Sequence, residues 1–182
     1  MPPTEYPMTT KVRATSSIRP ARKTDVPRIC SIAREVCRYV LSHRRGRMSA
    51  PQEFSSPRRR YEEALKKRDR CLLVAANDRG RVLGYSLACI EHEPDDLTDV
   101  PRVEIVELAV DARSRGRSIG ASLLEATHDW ARSQGIALVQ LAVWEFDEPA
   151  LRLYGRAGYR TLMRKMELAL PAGRSGPGKT SR

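Results

Sequence analysis

A chain of 182 residues, 41% of them hydrophobic, suits one domain with a substantial core. No apolar run approaches the ~20 residues that span a bilayer, and the start of the chain lacks an apolar signal core, so a cytoplasmic protein without membrane attachment is expected. The net charge of +11 is uneven: the first 70 residues hold 18 Lys and Arg against 7 acids, and the rest holds 15 of each.

Residues 1–16 are polar and aperiodic and read as a disordered leader. Residues 17–21 read as a short strand. Thr24 or Asp25 caps a helix to about residue 42, with Val26, Ile29, Ile32 and Ala33 on one face. A polar connection over 43–57 leads to a second helix over 57–67. Strands over 70–77 and 82–90 flank the turn Asp78-Arg79-Gly80. An acidic loop over 91–101 precedes a strand over 103–110. A helix over 119–133, a strand over 137–143 and a helix over 148–157, with Pro149 suited to its first turn, come next. Residues 159–168 read as a last strand and 171–182 as a flexible basic tail, which leaves 17–170 as the domain.

The junction after the 103–110 strand, Arg115-Gly116-Arg117-Ser118-Ile119-Gly120, is strand, small-residue turn and helix start. A helix N-terminus offers unpaired N–H groups and a positive dipole end, and small residues let a phosphate approach the backbone. It is no Walker loop, because Ala121-Ser122 follows the last Gly instead of Lys-Ser or Lys-Thr. It is no dinucleotide fingerprint either, with only Gly116 and Gly120 present.

The stretch resembles the signature of the general amine N-acetyltransferase (GNAT) superfamily, with Arg115 and Gly120 at its two ends and Ser118 where a Gly is usual. The later run from Leu141 to Tyr159 resembles the family's second motif through Ala150, Leu153, Tyr154, Gly158 and Tyr159, with Asp147 where Asn is usual. Ile18-Arg19-Pro20-Ala21 followed by Asp25 fits more loosely, so the resemblance covers roughly 17–169. It implies an α/β (α+β) fold: a mixed, mostly antiparallel central sheet flanked by helices, with a V-shaped splay between the parallel strands 103–110 and 137–143.

The resemblance also implies a chemistry: direct transfer of an acetyl group from acetyl-CoA to an amine, without a metal. Coenzyme contacts fall on Leu108, Ala109, Val110, Arg115, Gly116, Arg117, Ser118, Ile119, Gly120, Ala121 and Asp147. The backbone of 108–110 would polarise the acyl carbonyl. An alkylamine has a pKa of ~10.4 in water and must lose a proton before attack. Glu104, eleven residues before Arg115, is the first candidate base; Glu107 is the second, and a water relay is the third. Glu107 faces away from Glu104 if the strand is regular, and a β-bulge would change that. Tyr154 matches the family's general acid for the departing thiolate.

The acceptor is open. The acidic run Glu91-His92-Glu93-Pro94-Asp95-Asp96 would suit a polycationic amine, and Trp144, Glu145 and Phe146 would line an acceptor pocket. The basic clusters around Arg44, Arg58 and Lys66 read as a solvated surface, as steering for an anionic coenzyme, or as an RNA or ribosome contact. A catalytically weak acyl-CoA-binding or RNA-associated protein is therefore the alternative function. Dimers are common among proteins of this resemblance, so a homodimer is one expected assembly. Cys30, Cys37, Cys71 and Cys89 read as free thiols. His43, His92 and His128 carry no assigned role, and His128 falls on the polar side of its helix.

Overall fold

Two apolar runs, each buried on both faces, make the centre of the molecule: Cys71 to Ala76 and Gly84 to Cys89. Such runs need cover on both sides, and the helices supply it. In this computed structural model residues 11–12, 16–43, 57–92 and 100–168 are described. The elements are β1 (Lys11–Val12), β2 (Ser16–Pro20), α1 (Val26–His43), α2 (Pro57–Ala64), β3 (Arg70–Asn77), β4 (Val82–Glu91), β5 (Arg102–Val110), α3 (Ile119–Ser133), β6 (Val139–Leu141) and α4 (Glu148–Arg156). They form one sheet in the order β1-β2-β3-β4-β5-β6. Every neighbouring pair is antiparallel except β5 and β6, which are parallel.

α3 covers one face. Its Ile119, Leu123, Leu124, Ala126, Trp130 and Ala131 pack with Ile18, Leu73, Ala75, Val103 and Ile105. α1 and α2 cover the other, where Val26, Ile29, Ile32, Ala33, Tyr61 and Ala64 meet Leu72, Val74, Tyr85 and Leu87. Each fully buried aliphatic side chain of this kind stabilises the fold by about 1.5–3 kcal/mol. One polar pair bridges the α3 face, Ser86 Oγ to Thr127 Oγ1 at 2.9 Å. The turn after β3 is set by Asn77, whose Oδ1 accepts from the N–H groups of Arg79 and Arg81.

Four differences from the sequence expectation have local causes. The expected leader contributes a strand, because Lys11 and Val12 pair with Ser17 and Ser16 through the backbone, which hydropathy does not register. α1 begins after a short 3-10 turn, Lys23–Asp25. There the Asp25 carboxylate accepts from the Arg22 N–H at 2.7 Å and from the Arg19 guanidinium. Burial alone would raise the Asp25 pKa, but these bonds outweigh it and hold the carboxyl below its ordinary value. β6 is short because β5 and β6 part beyond the Ile105–Leu141 pair.

The fourth difference is the expected last strand. Residues 159–168 form no strand, and Leu162, Met163, Met166 and Leu168 are exposed. Apolar residues make a strand only against a partner edge, and none of the described strands takes this segment. The expected cysteine state holds, with all four thiols free. Cys37 is half-buried and the other three are buried. Burial pushes the Cys30 thiol up, and pushes Cys71 and Cys89 up to about 12, with Cys89 also donating to Glu91. None of the described helices is long and apolar enough to cross a membrane. The tail at 171–182 lies outside the described residues.

Candidate active site

The segment between β5 and α3 is fixed from below. Asp111 is buried and pairs with Arg28 at 3.0 Å, while the Arg28 Nε–H donates to the Val82 carbonyl. The chain then turns twice through left-handed conformations, at Gly116 (φ +76°) and Ser118 (φ +61°). Glycine takes that conformation freely; a serine there costs about 1 kcal/mol. No side chain caps α3 at Ser118. A β-carbon at Gly120 would stand 3.3 Å from Leu153 Cδ2 and 3.8 Å from Val110 Cγ2, so β5, α3 and α4 converge on this glycine.

The expected coenzyme residues divide by what their side chains do. Gly116, Ser118 and Gly120 shape the turn. Ile119 is buried in the α3 core. Arg115 reaches back, donating to the Val110 carbonyl at 3.2 Å and lying 3.7 Å from the Glu35 carboxylate. Arg117 and Ala121 are exposed. Asp147 caps α4, accepting from the Ala150 N–H at 3.2 Å. Leu108 and Val110 pack toward α3 and Ala109 toward α1, on the stretch of β5 that β6 leaves uncovered.

β5 contains the bulge on which the assignment of the two glutamates depends. Ala88 pairs with Ile105 and Leu87 with Glu107, so Val106 is the extra residue. The bulge turns Glu107 onto the face that Glu104 occupies, the face under α1 and α2. Glu107 is fully engaged there. Tyr61 and Tyr85 each donate to its Oε2 at 2.6 Å, and Arg60 meets its Oε1 at 2.8 Å. Both tyrosines are about 1% exposed, and burial followed by the Glu107 charge drives their pKa values well up. Glu104 is half-buried, with Cys89 as its neighbour on β4 and Gln140 on β6.

Tyr154 stands on α4 beside the splay. Its hydroxyl bonds no described residue, and burial, then the Asp147 charge, pushes its pKa up to about 12. Its ring meets Tyr159 edge to face at 5.7 Å. Tyr159 is half-buried against the α3 cluster. His128 departs from the surface expected of it: its side chain is only 15% exposed and its Nε2 lies 2.8 Å from the Tyr159 hydroxyl. The helical wheel marks position 128 as polar but does not show that residue 159 folds over it.

A ring cluster went unrecognised in the sequence. Phe146 stacks on His43 (5.0 Å, 12°) and on Trp144 (5.7 Å, 14°), and Tyr39 meets both His43 and Phe146. Tyr39 and His43, four apart on α1, were the available signal. Of the basic clusters, Arg58, Arg59 and Arg60 each face a carboxylate, on Glu62, Glu63 and Glu107. Arg44 to Arg47 and the acidic residues 93–99 lie outside the described residues.

The chain is similar to known proteins in sequence and in fold. The model of the "Acetyltransferase (GNAT) family" matches residues 37–159. Mycothiol acetyltransferase of Propionibacterium freudenreichii is 31% identical over 88 residues, 48% of this chain and 27% of that protein, so the match spans about a quarter of this relative's length. The solved structure of a Bacillus halodurans protein tetramutant superposes with a TM-score of 0.72 at 26% identity, covering 84% of this chain and 99% of that one. An aminoglycoside N-acetyltransferase in complex with CoA superposes with a TM-score of 0.70 at 17% identity, covering 88% of this chain and 98% of that one, which is a likeness of fold.

Proposed function

The chain belongs to the GNAT acetyltransferase family, and on that premise we propose that it transfers an acetyl group from acetyl-CoA directly to a primary amine of a small molecule or of a protein or peptide. The observation that carries this reading is the convergence at Gly120. There two parallel strands part, a helix begins without a side-chain cap, and the turn before it holds two left-handed residues. The turn fits a pyrophosphate, because its small residues leave backbone N–H groups approachable at the positive end of a fifteen-residue helix. The CoA complex of a protein with the same fold supports the same ligand here.

Acetyl-CoA supplies the acyl group already activated as a thioester. The N–H groups of Leu108 and Val110 point away from β4, since that of Asp111 bonds the Leu83 carbonyl and that of Ala109 faces the same way, so those two are the donors for the carbonyl oxygen. Glu104 takes the ammonium proton, directly or through one water. Glu107 is less suited, since two tyrosines and an arginine already occupy its oxygens. Tyr154 retains its proton at neutral pH and can deliver it to the departing sulfur. No enzyme nucleophile is needed.

The test is thermal unfolding with and without excess acetyl-CoA, followed by an amine screen that reads release of the CoA thiol. Ligand at ~100 times its dissociation constant stabilises the native state by about 2.7 kcal/mol. The rise should vanish in Gly120→Glu, whose side chain would enter the space between Leu153 and Val110. No rise in the wild type, or an equal rise in both proteins, overturns the coenzyme site.

A further inference from the structure

A cavity lies at the side of the sheet away from the splay. β2 stops at Pro20, which pairs with Leu73, while β3 extends beyond it through Leu72 and Cys71 to Arg70. Ala21 covers the first of these with one bond, its N–H to the Leu72 carbonyl at 2.8 Å, and no described strand pairs with the edge beyond. Three elements meet there, and each presents an alanine: Ala21 after β2, Ala64 at the end of α2 and Ala126 on α3. Side chains this short leave a space of ≈ 220 Å³, with Trp130, one turn along α3 from Ala126, in its wall. Protein interiors hold few voids larger than a water molecule. An apolar cavity of roughly 150 Å³ takes up benzene, so this one admits a ring or a short branched chain.

The charge around this space has one sign. Arg19, Lys67 and Arg70 line it, and none of the described lining residues is an aspartate or glutamate. Arg19 is taken up by Asp25 at 2.7 Å. Among the described residues, Lys67 and Arg70 have no ion-pair partner. Cys71 is the remaining ionisable group of the lining, and burial pushes its thiol up to about 12, so it stays neutral. Arg70 carries a further signal: its Nε is out of solvent and has no hydrogen-bond partner. A buried donor without an acceptor is rare in native proteins. A guanidinium is best satisfied by a carboxylate, which accepts two parallel N–H bonds from it. Apolar walls, uncompensated cations and a donor without an acceptor are together the complement of a compact apolar acid.

We propose that this cavity is a second small-molecule site, which takes a free monocarboxylic acid with a ring or a short branched chain, its carboxylate on Arg70 and its body against Trp130. The site is distinct from the coenzyme cleft: it lies at β2 and β3, the cleft lies between β5 and β6, and β4 stands between them. The proposal does not depend on acetyl transfer.

Binding followed at the indoles tests it. Isotope-labelled protein has two indole N–H signals, from Trp130 and Trp144, assigned through Trp144→Phe. Phenylacetate and cyclohexanecarboxylate should shift the Trp130 signal and leave Trp144 in place. Phenylacetamide has the shape without the charge, and acetate has the charge without the body; each should bind at least tenfold more weakly than phenylacetate. Arg70→Gln should weaken phenylacetate at least tenfold and leave phenylacetamide unchanged, a split that a merely structural arginine would not produce. Lys67→Ala should weaken phenylacetate by less, since Lys67 is exposed. Saturating acetyl-CoA should leave the phenylacetate affinity unchanged. An unmoved Trp130 signal with both acids, equal affinity for acid and amide, or displacement of phenylacetate by acetyl-CoA would overturn the proposal. Should Arg70→Gln fail to fold, the comparison of acid with amide on the unaltered protein decides alone.

Discussion

The two sides of the β5 strand are made in different ways. Toward α3 and α4 the site consists of backbone: a turn with two left-handed residues, an uncapped helix end and a strand edge left bare where β6 departs. Toward α1 and α2 it consists of side chains: the Glu107 clamp, the half-buried Glu104 and the ring stack. Backbone geometry is indifferent to most substitutions and suits a coenzyme shared across a family. Side-chain geometry changes with single residues and suits an acceptor that differs from one member to the next.

The sharpest way to break this comparison is to exchange the two glutamates by function. Glu104→Gln should lower kcat by roughly 10²–10⁴-fold with acetyl-CoA binding retained. Glu107→Gln should leave kcat within about threefold yet lower stability by about 1–3 kcal/mol, because two buried hydroxyls lose a charged acceptor. Reversed outcomes in rate assays and denaturant melts would move the base to Glu107. Tyr154→Phe should lower kcat by roughly 10²-fold. Because this hydroxyl is pushed up to about 12, it introduces no break in the pH profile of kcat until the pH nears that value.

Acid titration separates a purely structural contact from these. Asp25 has a folded pKa below its unfolded value, so its contribution is complete above the usual carboxylate value of 3.8 and is lost as the pH falls through the lower folded value. Asp25→Asn should cost about 1 kcal/mol at neutral pH and show a shallower loss of stability in that acid window, read from melts at stepped pH. The smallest effect belongs to the turn. Ser118→Gly should raise stability by up to ~1 kcal/mol by relieving the left-handed serine, with acetyl-CoA affinity equal or better in calorimetry. A loss of affinity would show that the Ser118 hydroxyl, not only its small size, serves the ligand.

The same division explains what was legible in the sequence. Arg115 to Gly120 could be read because small residues after an apolar strand announce a tight turn, and the apolar runs announced β3, β4 and α3. Glu104 and Glu107 could not be placed on one face from spacing, because the Val106 bulge alters the count without altering composition. The Glu107 clamp joins residues from α2, β4 and β5, and the ring stack joins α1 to a loop a hundred residues later; pairings at such separation leave no local period. Residues 159–168 failed in the opposite sense, since their apolar content is real but a strand requires an edge to pair with.

The free cysteines bear on how the proposed activity can be assayed. Disulfide dyes react with thiolates, and Cys71 and Cys89, with thiols pushed up to about 12, present almost none at neutral pH, while Cys30 is both buried and raised. The proposed turnover would therefore be followed by dye colour as CoA is released, over a protein background confined mainly to Cys37. A slow dye uptake appearing on warming would report the opening of the sheet itself, since three of the four thiols become reachable only when the packing around β3, β4 and α1 gives way.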